Sequence, residues 1–282
     1  MQVTILTCTP NIESNIFKRH AKALKKHTKN YEWLIIDNNR TSNFNHAREI
    51  NRGIKLTSNK YLITLDDDLI VSEGWIGALL EAAVNNQVVG GVHRDDKGLI
   101  NHSGGYILQN GVAGHFLGEI DKLAYAEYVC SAVMLIDVEF LKNTSLYFDE
   151  SYSKFFQEAD FCFRIWESGG KVAITNKCDV THLVGQVVNR LADRKQLFNI
   201  DSQYFNKKWI NNGRLEKLLH NIQFYFDNTY INQLKKLDLL YKEYDSSLKN
   251  SSLSNQRKII KKFESFQMYD SAVWLINEFM KK

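Results

Sequence analysis

Proline occurs once in the 282 residues, at position 10, and glycine only 15 times, so the chain has little material for long flexible linkers or for collagen-like segments. Cysteine is scarce as well. Cys8, Cys130, Cys162 and Cys178 lie far apart with no Cys-x-x-Cys spacing, which argues against a zinc knuckle or a disulfide framework and predicts buried free thiols in a reducing compartment. No apolar run, Val129–Ile136 being among the longest, reaches the roughly 18 residues of a membrane-spanning helix. No basic-then-apolar leader precedes the first strand candidate. The expectation is a soluble, cytoplasmic protein. A Gly-x-x-x-x-Gly-Lys loop and an Asp-x-Asp-x-Thr sequence are also missing, which weakens any reading as a phosphoryl-transfer enzyme.

What is present is ordinary for a globular chain: 44% hydrophobic, 12% aromatic and 24% charged residues. The net charge of +4 is too small to imply a nucleic-acid partner, and it is unevenly placed. Residues 1–200 carry 22 basic and 23 acidic side chains, whereas 201–282 carry 14 and 9, so the excess lies in the tail.

Strand-like and helix-like stretches alternate in the first hundred residues. Gln2–Thr7 reads as a strand, Ile16–Lys29 as a helix, Trp33–Asp37 as a strand, Asn45–Leu56 as a helix and Tyr61–Leu65 as a strand; Trp75–Asn85 and Val88–Val92 continue the pattern. Such an order predicts a parallel sheet with covered faces, whose ligand crevice lies beyond the carboxyl ends of its strands. Thr7–Asn11, Asp37–Arg40 and Asp66–Asp68 would converge there. The glycine-rich stretch 98–122 predicts hairpins. A long strand follows at Tyr128–Asp137, then a helix around Phe161–Trp166 ending at Gly169 and Gly170, and a last strand pair at Val172–Thr175 and Asp179–His182. Beyond residue 200, Tyr204–Phe226, Asn228–Tyr244 and Gln256–Met280 carry apolar residues at helical spacing, with stripes such as Ile231, Leu234, Leu237, Leu240, Tyr244 and Ile259, Phe263, Phe266, Val273, Ile276.

Three groups of residues carry potential chemistry. Asp66, Asp67 and Asp68 end an apolar strand; three adjacent negative charges are unfavourable unless a cation sits with them, although an acidic loop or a helix cap has the same composition. Glu158 and Asp160 sit among aromatic residues, which suits a general base, yet acidic residues also favour a helix start. His182 follows an apolar strand near Asp179, as a ligand or as a structural histidine.

The order of these groups, with further blocks, resembles the inverting glycosyltransferases of family 2 and their GT-A fold. Thr7-Cys-Thr-Pro-Asn11 matches the first nucleotide loop, and Ile36-Asp-Asn-Asn39 resembles the second. Ala47, Arg48, Asn51 and Gly53 resemble the helix before the Asp-x-Asp strand. Asn101–Gly105, Gly111–His115, Phe148–Glu150 and Phe156–Arg164 are similar to later blocks, nearest the bacterial rhamnosyltransferase-like branch. The likeness spans about residues 2–210. It implies an α/β, Rossmann-like nucleotide-diphospho-sugar transferase domain over 1–205 with a C-terminal α-helical extension over 206–282.

The resemblance further implies a metal site of Asp68, His182 and Asp66 for Mn2+ or Mg2+, and a donor site of Thr7, Thr9, Pro10, Asn11, Asp37, Asn38, Arg48, Asn51, Asp66 and Asp67. Glu158 matches the second acidic residue of a Glu-Asp pair and is the base, with Asp160 as the alternative; Gln157 departs from that pair. The implied reaction moves one sugar, with inversion, from a UDP- or dTDP-sugar to a hydroxyl of a glycan, lipid-linked or protein-linked acceptor. A catalytically inactive GT-A-like protein that only binds nucleotide or carbohydrate is the competing reading, and a carbohydrate-binding module is weaker because it leaves the aspartates without a role. The missing membrane spans and Gln-x-x-Arg-Trp sequence argue against a processive synthase. The tail covers the domain, pairs two subunits as a homodimer, or rests on the inner face of a membrane through Lys258, Lys261, Lys262, Lys281 and Lys282.

Overall fold

The computed structural model describes residues 3–38, 44–108, 111–183, 194–226, 231–232, 234–239 and 242. Contacts divide the chain into two units, Met1–Tyr225 and Phe226–Lys282. The first begins as the sequence predicts. Strand β1 (Val3–Thr9) lies parallel to β2 (Tyr31–Asp37) on one side and to β3 (Tyr61–Leu65) on the other. Helix α1 (Asn15–His27) starts where the Ser14 hydroxyl accepts the Phe17 N–H, and α2 (His46–Leu56) where the Asn45 side chain accepts that of Arg48. Both caps satisfy amides that a helix start leaves unpaired.

The second half of the sheet is not parallel throughout. After β4 (Leu69–Ile70), α3 (Trp75–Ala82) and β5 (Val88–Arg94), the chain passes through short strands β6 (Ile100–His102), β7 (Gly105–Ile107), β8 (Ala113–His115) and β9 (Leu123–Tyr125). It then enters β10 (Val133–Asp137), which runs antiparallel to both β3 and β5. Parallel pairing needs a crossover connection, usually a helix, and hairpins stand here instead. Helices α4 (Val138–Thr144) and α5 (Gln157–Glu167) lead to β11 (Val172–His182), and the sheet order is β2-β1-β3-β10-β5-β11-β4, with β6 on β5 and β9 on β11.

The expected strand pair at 172–175 and 179–182 is one strand, β11, whose register against β5 shifts between Thr175 and Asp179. Asn176 within that bulge donates from its side chain to the carbonyls of Ile120 and Asp121 at 2.7 and 2.6 Å, which pulls the strand aside. Beyond the bulge β11 pairs with β4, setting Thr181 opposite Ile70 and His182 opposite Leu69. Ile5, Ile63, Leu135, Val89 and Trp75 form part of the core. All four cysteines are free; Cys162 and Cys178 are buried, while Cys8 and Cys130 are half-buried.

Helices α6 (Arg194–Phe205) and α7 (Arg214–Ile222), joined through a π-helical turn at Asn206–Ile210, belong to the first unit, which therefore runs past the expected boundary at 205. The reason is aromatic packing: Phe205 stacks on Phe156 at 4.9 Å between centroids, and Trp209 meets Phe163 edge-on at 5.2 Å. In the second unit, 231–232, 234–239 and 242 are helical, inside the expected stretch Asn228–Tyr244; the expected helix at Gln256–Met280 and its lysines lie outside the described residues.

The same packing carries charge. The Lys208 ammonium lies 2.7 Å from both Asp149 and Asp160, and Tyr204 donates to Asp149 at 2.9 Å. Burial opposes ionisation of Asp149, but these donors and the Ser151 amide outweigh it and hold its pKa well below the usual carboxylate range. A depressed carboxylate pKa contributes stability that is present above the unfolded value, near 4, and is lost as pH falls through the folded one. Lys208→Met is therefore expected to cost about 2 kcal/mol at pH 7, as for a hydrogen bond to a charged group. The gap in denaturant midpoint between wild type and variant should narrow only as pH falls below about 4 towards the folded pKa of Asp149, where its contribution is finally lost. A variant as stable as wild type at pH 7 would contradict the ion-pair account.

Candidate active site

The three aspartates occupy the turn between β3 and β4. The Asp66 N–H donates to the Ala132 carbonyl at 2.9 Å, which ties the end of β3 to the start of β10. Because β4 pairs with the end of β11, the chain after His182 returns over the turn, and the Leu183 N–H donates to the Asp68 carbonyl at 3.0 Å. That pairing brings His182 Nε2 to 3.4 Å from Asp68 Oδ1 across 114 residues of sequence. The register of β11, set by its bulge, thus decides which side chain faces the aspartates.

Electrostatics in the turn are strained. Burial and the neighbouring Asp68 raise the Asp66 pKa, with Lys154 and His182 partly offsetting them. Asp67 is raised by burial and by Asp68 against the opposing hydrogen bond from Thr9. Burial would depress His182, yet the hydrogen bond and charge of Asp68, with Asp66 behind it, raise its pKa. Carboxylates held this close favour a cation. Asp68 and His182 supply one oxygen and one nitrogen donor, both suited to Mn2+, and an oxygen-rich environment suits Mg2+. Among the described residues no three His, Cys, Asp or Glu side chains form a cluster that would hold a metal alone. The donor set therefore fits an ion completed by phosphate oxygens and water, the usual arrangement where a substrate diphosphate is present.

Glu158 and Asp160 both stand in the first turn of α5, but their surroundings separate them. Asp160 is fully buried and engaged on every side: Trp209 Nε1 at 2.8 Å, Arg164 Nε at 2.9 Å, Lys208 Nζ at 2.7 Å and the Tyr152 hydroxyl at 3.4 Å. It is a packing hub beneath the helix. Glu158 is partly exposed, forms no ion pair among the described residues, and accepts the Ser131 hydroxyl at 2.6 Å. Ser131 precedes Ala132, the residue that holds Asp66, so Glu158 and the aspartate turn flank one short segment.

The expected donor-site residues divide in the same way. Thr9 donates to Asp67 at 2.6 Å and accepts the Asn11 N–H at 3.2 Å, joining the first loop to the aspartates, and the Asn38 N–H donates to the Thr9 carbonyl at 2.9 Å. Pro10 and Asn11 are partly exposed beside them, Asp37 is exposed at the end of β2, and Arg48 is exposed on α2. Thr7 and Asn51 are not brought to the crevice. The Thr7 hydroxyl is buried and accepts from Trp33 Nε1 at 3.1 Å, with His20 Nε2 at 3.4 Å. Asn51 bonds the main chain of Phe148 in both directions, at 2.9 and 2.8 Å, and donates to Glu150 at 2.8 Å, so it fastens α2 to the block before α5.

Several site residues carried no signal in the sequence. His46, at the start of α2, lies 3.8 Å from Asp66 and receives the Gln157 amide on Nδ1 at 3.1 Å, which leaves the proton on Nε2 toward the carboxylate. Burial first, then Lys154, lowers its pKa to about 3, so it is neutral. Gln157, where the resemblance leads one to expect an acid, is the donor that suits this neutral histidine. Behind His182 the rings of His93, His102 and His115 follow at centroid spacings of 5.5, 4.8 and 4.6 Å. Burial holds His93 and His102 well below the usual histidine range, as neutral packing groups.

Residues 17–105 match the family model described as glycosyl transferase family 2. The match bears out the resemblance read from the sequence; it contains the aspartate turn and ends before Glu158 and His182. Among solved structures, a crystal structure of GalNAc-T7 with UDP, GalNAc and Mn2+ superposes with a TM-score of 0.53 at 12% identity, covering 78% of this chain and 54% of that one. The chain thus spans about half the length of that protein. No curated protein sequence matches. The fold is the expected mixed α/β GT-A type. The rhamnosyltransferase-like branch finds no counterpart among these matches.

Proposed function

We propose that the protein is a metal-dependent inverting glycosyltransferase that moves a single sugar from a nucleoside-diphosphate sugar, a UDP- or dTDP-sugar, to a hydroxyl of a glycan, lipid-linked or protein-linked acceptor. The observation that carries this reading is the placing of Asp68 beside His182 at 3.4 Å, with Glu158 held by Ser131 at the next segment of main chain. Asp68 and His182, with Asp66 nearby, would hold Mn2+ or Mg2+, and the ion would neutralise charge developing on the departing diphosphate. Thr9, Pro10, Asn11, Asp37, Asn38 and Arg48 border the space for the nucleoside, and Asp67 is oriented by Thr9.

Glu158 then has one task. It accepts the proton of the acceptor hydroxyl as that oxygen forms a bond to the anomeric carbon and the carbon–phosphate oxygen bond breaks, its electron pair leaving with the diphosphate. A single displacement inverts the anomeric centre. The Ser131 hydroxyl fixes one carboxylate oxygen of Glu158 at 2.6 Å and orients the group. A cytoplasmic location, with the second unit pairing subunits or resting on the inner face of a membrane, belongs to this proposal. No helix among the described residues is long and apolar enough to cross a membrane.

The reading is tested by thermal shift with UDP, dTDP, GDP and CMP, each with and without Mn2+. Ligands that bind only the native state stabilise it by about 2.7 kcal/mol at a hundred times their dissociation constant, roughly 5–10 °C for a chain of this size. A rise that needs both one nucleoside diphosphate and the metal is expected. Binding without any sugar transfer to a panel of acceptors would favour the inactive, binding-only alternative, and no shift with any nucleotide, in folded protein, would sink the transferase reading and leave a carbohydrate-binding module.

A further inference from the structure

Asp201 of α6 is fully buried, and its carboxylate accepts three successive main-chain N–H groups, those of Ser153 at 2.9 Å, Lys154 at 2.8 Å and Phe155 at 2.8 Å. A buried carboxylate with three amide donors is satisfied without a cation, and it fixes the loop it grips. That loop leads through Phe156, in the left-handed region at φ 63°, into Gln157. Gln157 donates to His46 at 3.1 Å, and His46 stands 3.8 Å from Asp66, so the gripped loop borders the aspartate turn.

Lys154 is the middle residue of the grip. Its side chain is partly exposed, and its ammonium forms no ion pair among the described residues. Lys208 is the contrast, spent between Asp149 and Asp160. The charge of Lys154 acts on four groups around the crevice: Cys8 at the end of β1, His46 on α2, Asp66 after β3 and Cys130 before β10. A cation that forms no ion pair among the described residues, on main chain that Asp201 holds, thus acts on Asp66 in the turn where a diphosphate and its metal would sit. Holding the main chain leaves only side-chain torsions to be ordered when an anion binds, which lowers the entropic cost of the contact.

We propose that Lys154 binds the diphosphate of the nucleotide, and that Asp201 is a positioning residue that holds the Lys154 main chain for that contact. This rests on the transferase reading above. A Lys–phosphate contact is a charge-assisted hydrogen bond, for which a loss of about 10- to 100-fold in affinity is expected on removal.

The experiment compares two ligands in the presence of Mn2+: whichever of UDP, dTDP and GDP binds wild type most tightly, and its free nucleoside. Lys154→Gln should weaken the diphosphate about 10- to 100-fold and leave the nucleoside within a few-fold, and Lys154→Arg should recover part of the loss. Asp201→Asn should weaken the diphosphate by a smaller factor and add little in the Lys154→Gln background, because both act through one contact. Wild type that binds no diphosphate would overturn the transferase reading itself. Wild type that binds it, with Lys154→Gln binding equally well or losing diphosphate and nucleoside alike, would overturn the Lys154 assignment alone. Full additivity of Asp201→Asn with Lys154→Gln would reduce Asp201 to a structural residue.

Discussion

Glu158→Gln is expected to lower the rate of sugar transfer by about 10²- to 10⁴-fold, the range for loss of a general base, while the nucleotide dissociation constant stays within about twofold. The amide has the shape of the carboxylate and still accepts the Ser131 hydroxyl, which the structure places at 2.6 Å, so the change removes basicity and little else. Steady-state rates under saturating donor, beside calorimetric binding of the nucleotide diphosphate, separate the two effects. A variant that keeps more than about a tenth of wild-type kcat would remove Glu158 from the role of base.

Asp160→Asn supplies the contrast, because its neighbours make a different demand. Arg164 and Lys208 both lean on this fully buried carboxylate, at 2.9 and 2.7 Å, and an amide would remove the carboxylate that Arg164 pairs with and leave Lys208 with Asp149 alone. Breaking such a buried pair costs about 3–5 kcal/mol. The variant should therefore unfold at lower denaturant, and the fraction that remains folded should still transfer sugar. Two acidic residues two positions apart on one helix thus have separable signatures, activity for the first and stability for the second.

The sequence made the first of these residues visible and hid the reason for choosing it. Alternating strands and helices up to Val92 were legible because periodicity and capping are local, as at Ser14 and Asn45. The antiparallel β10 was not, since nothing within Val133–Asp137 states which neighbours it will meet, and the bulge in β11 is set by Asn176 reaching Ile120 and Asp121 far away in the chain. The aspartate turn and His182 stood out as residue types at strand ends. The burial of Thr7 and the bridging use of Asn51 did not, because Trp33, His20 and Phe148 consume their polar atoms from other elements. Lys154 is an unremarkable lysine in the sequence and gains meaning only through Asp201, 47 residues on.

Asp68→Ala and His182→Ala should both abolish the enhancement of nucleotide binding by Mn2+, a loss of at least about 100-fold given that residues merely supporting metal ligands already cost 10- to 100-fold. Their metal-free behaviour should differ in sign. Asp68→Ala removes one of three adjacent carboxylates, which lessens repulsion of a diphosphate, so affinity without metal is expected to hold or rise. His182→Ala removes a group whose pKa the neighbouring aspartates raise, hence a source of positive charge, so affinity without metal is expected to hold or fall. The Leu183 N–H to Asp68 carbonyl bond at 3.0 Å belongs to the main chain and can form in both variants, and far-UV circular dichroism checks that each is folded. Titration of the nucleotide diphosphate with and without Mn2+ gives all four values. Retention of the Mn2+ effect within about threefold in both variants would be inconsistent with ligands that bind the ion directly, since first contacts to a metal cost more than their supports do. Loss of the effect in Asp68→Ala alone would keep the carboxylate as ligand and leave His182 as its orienting partner across the β4–β11 pairing.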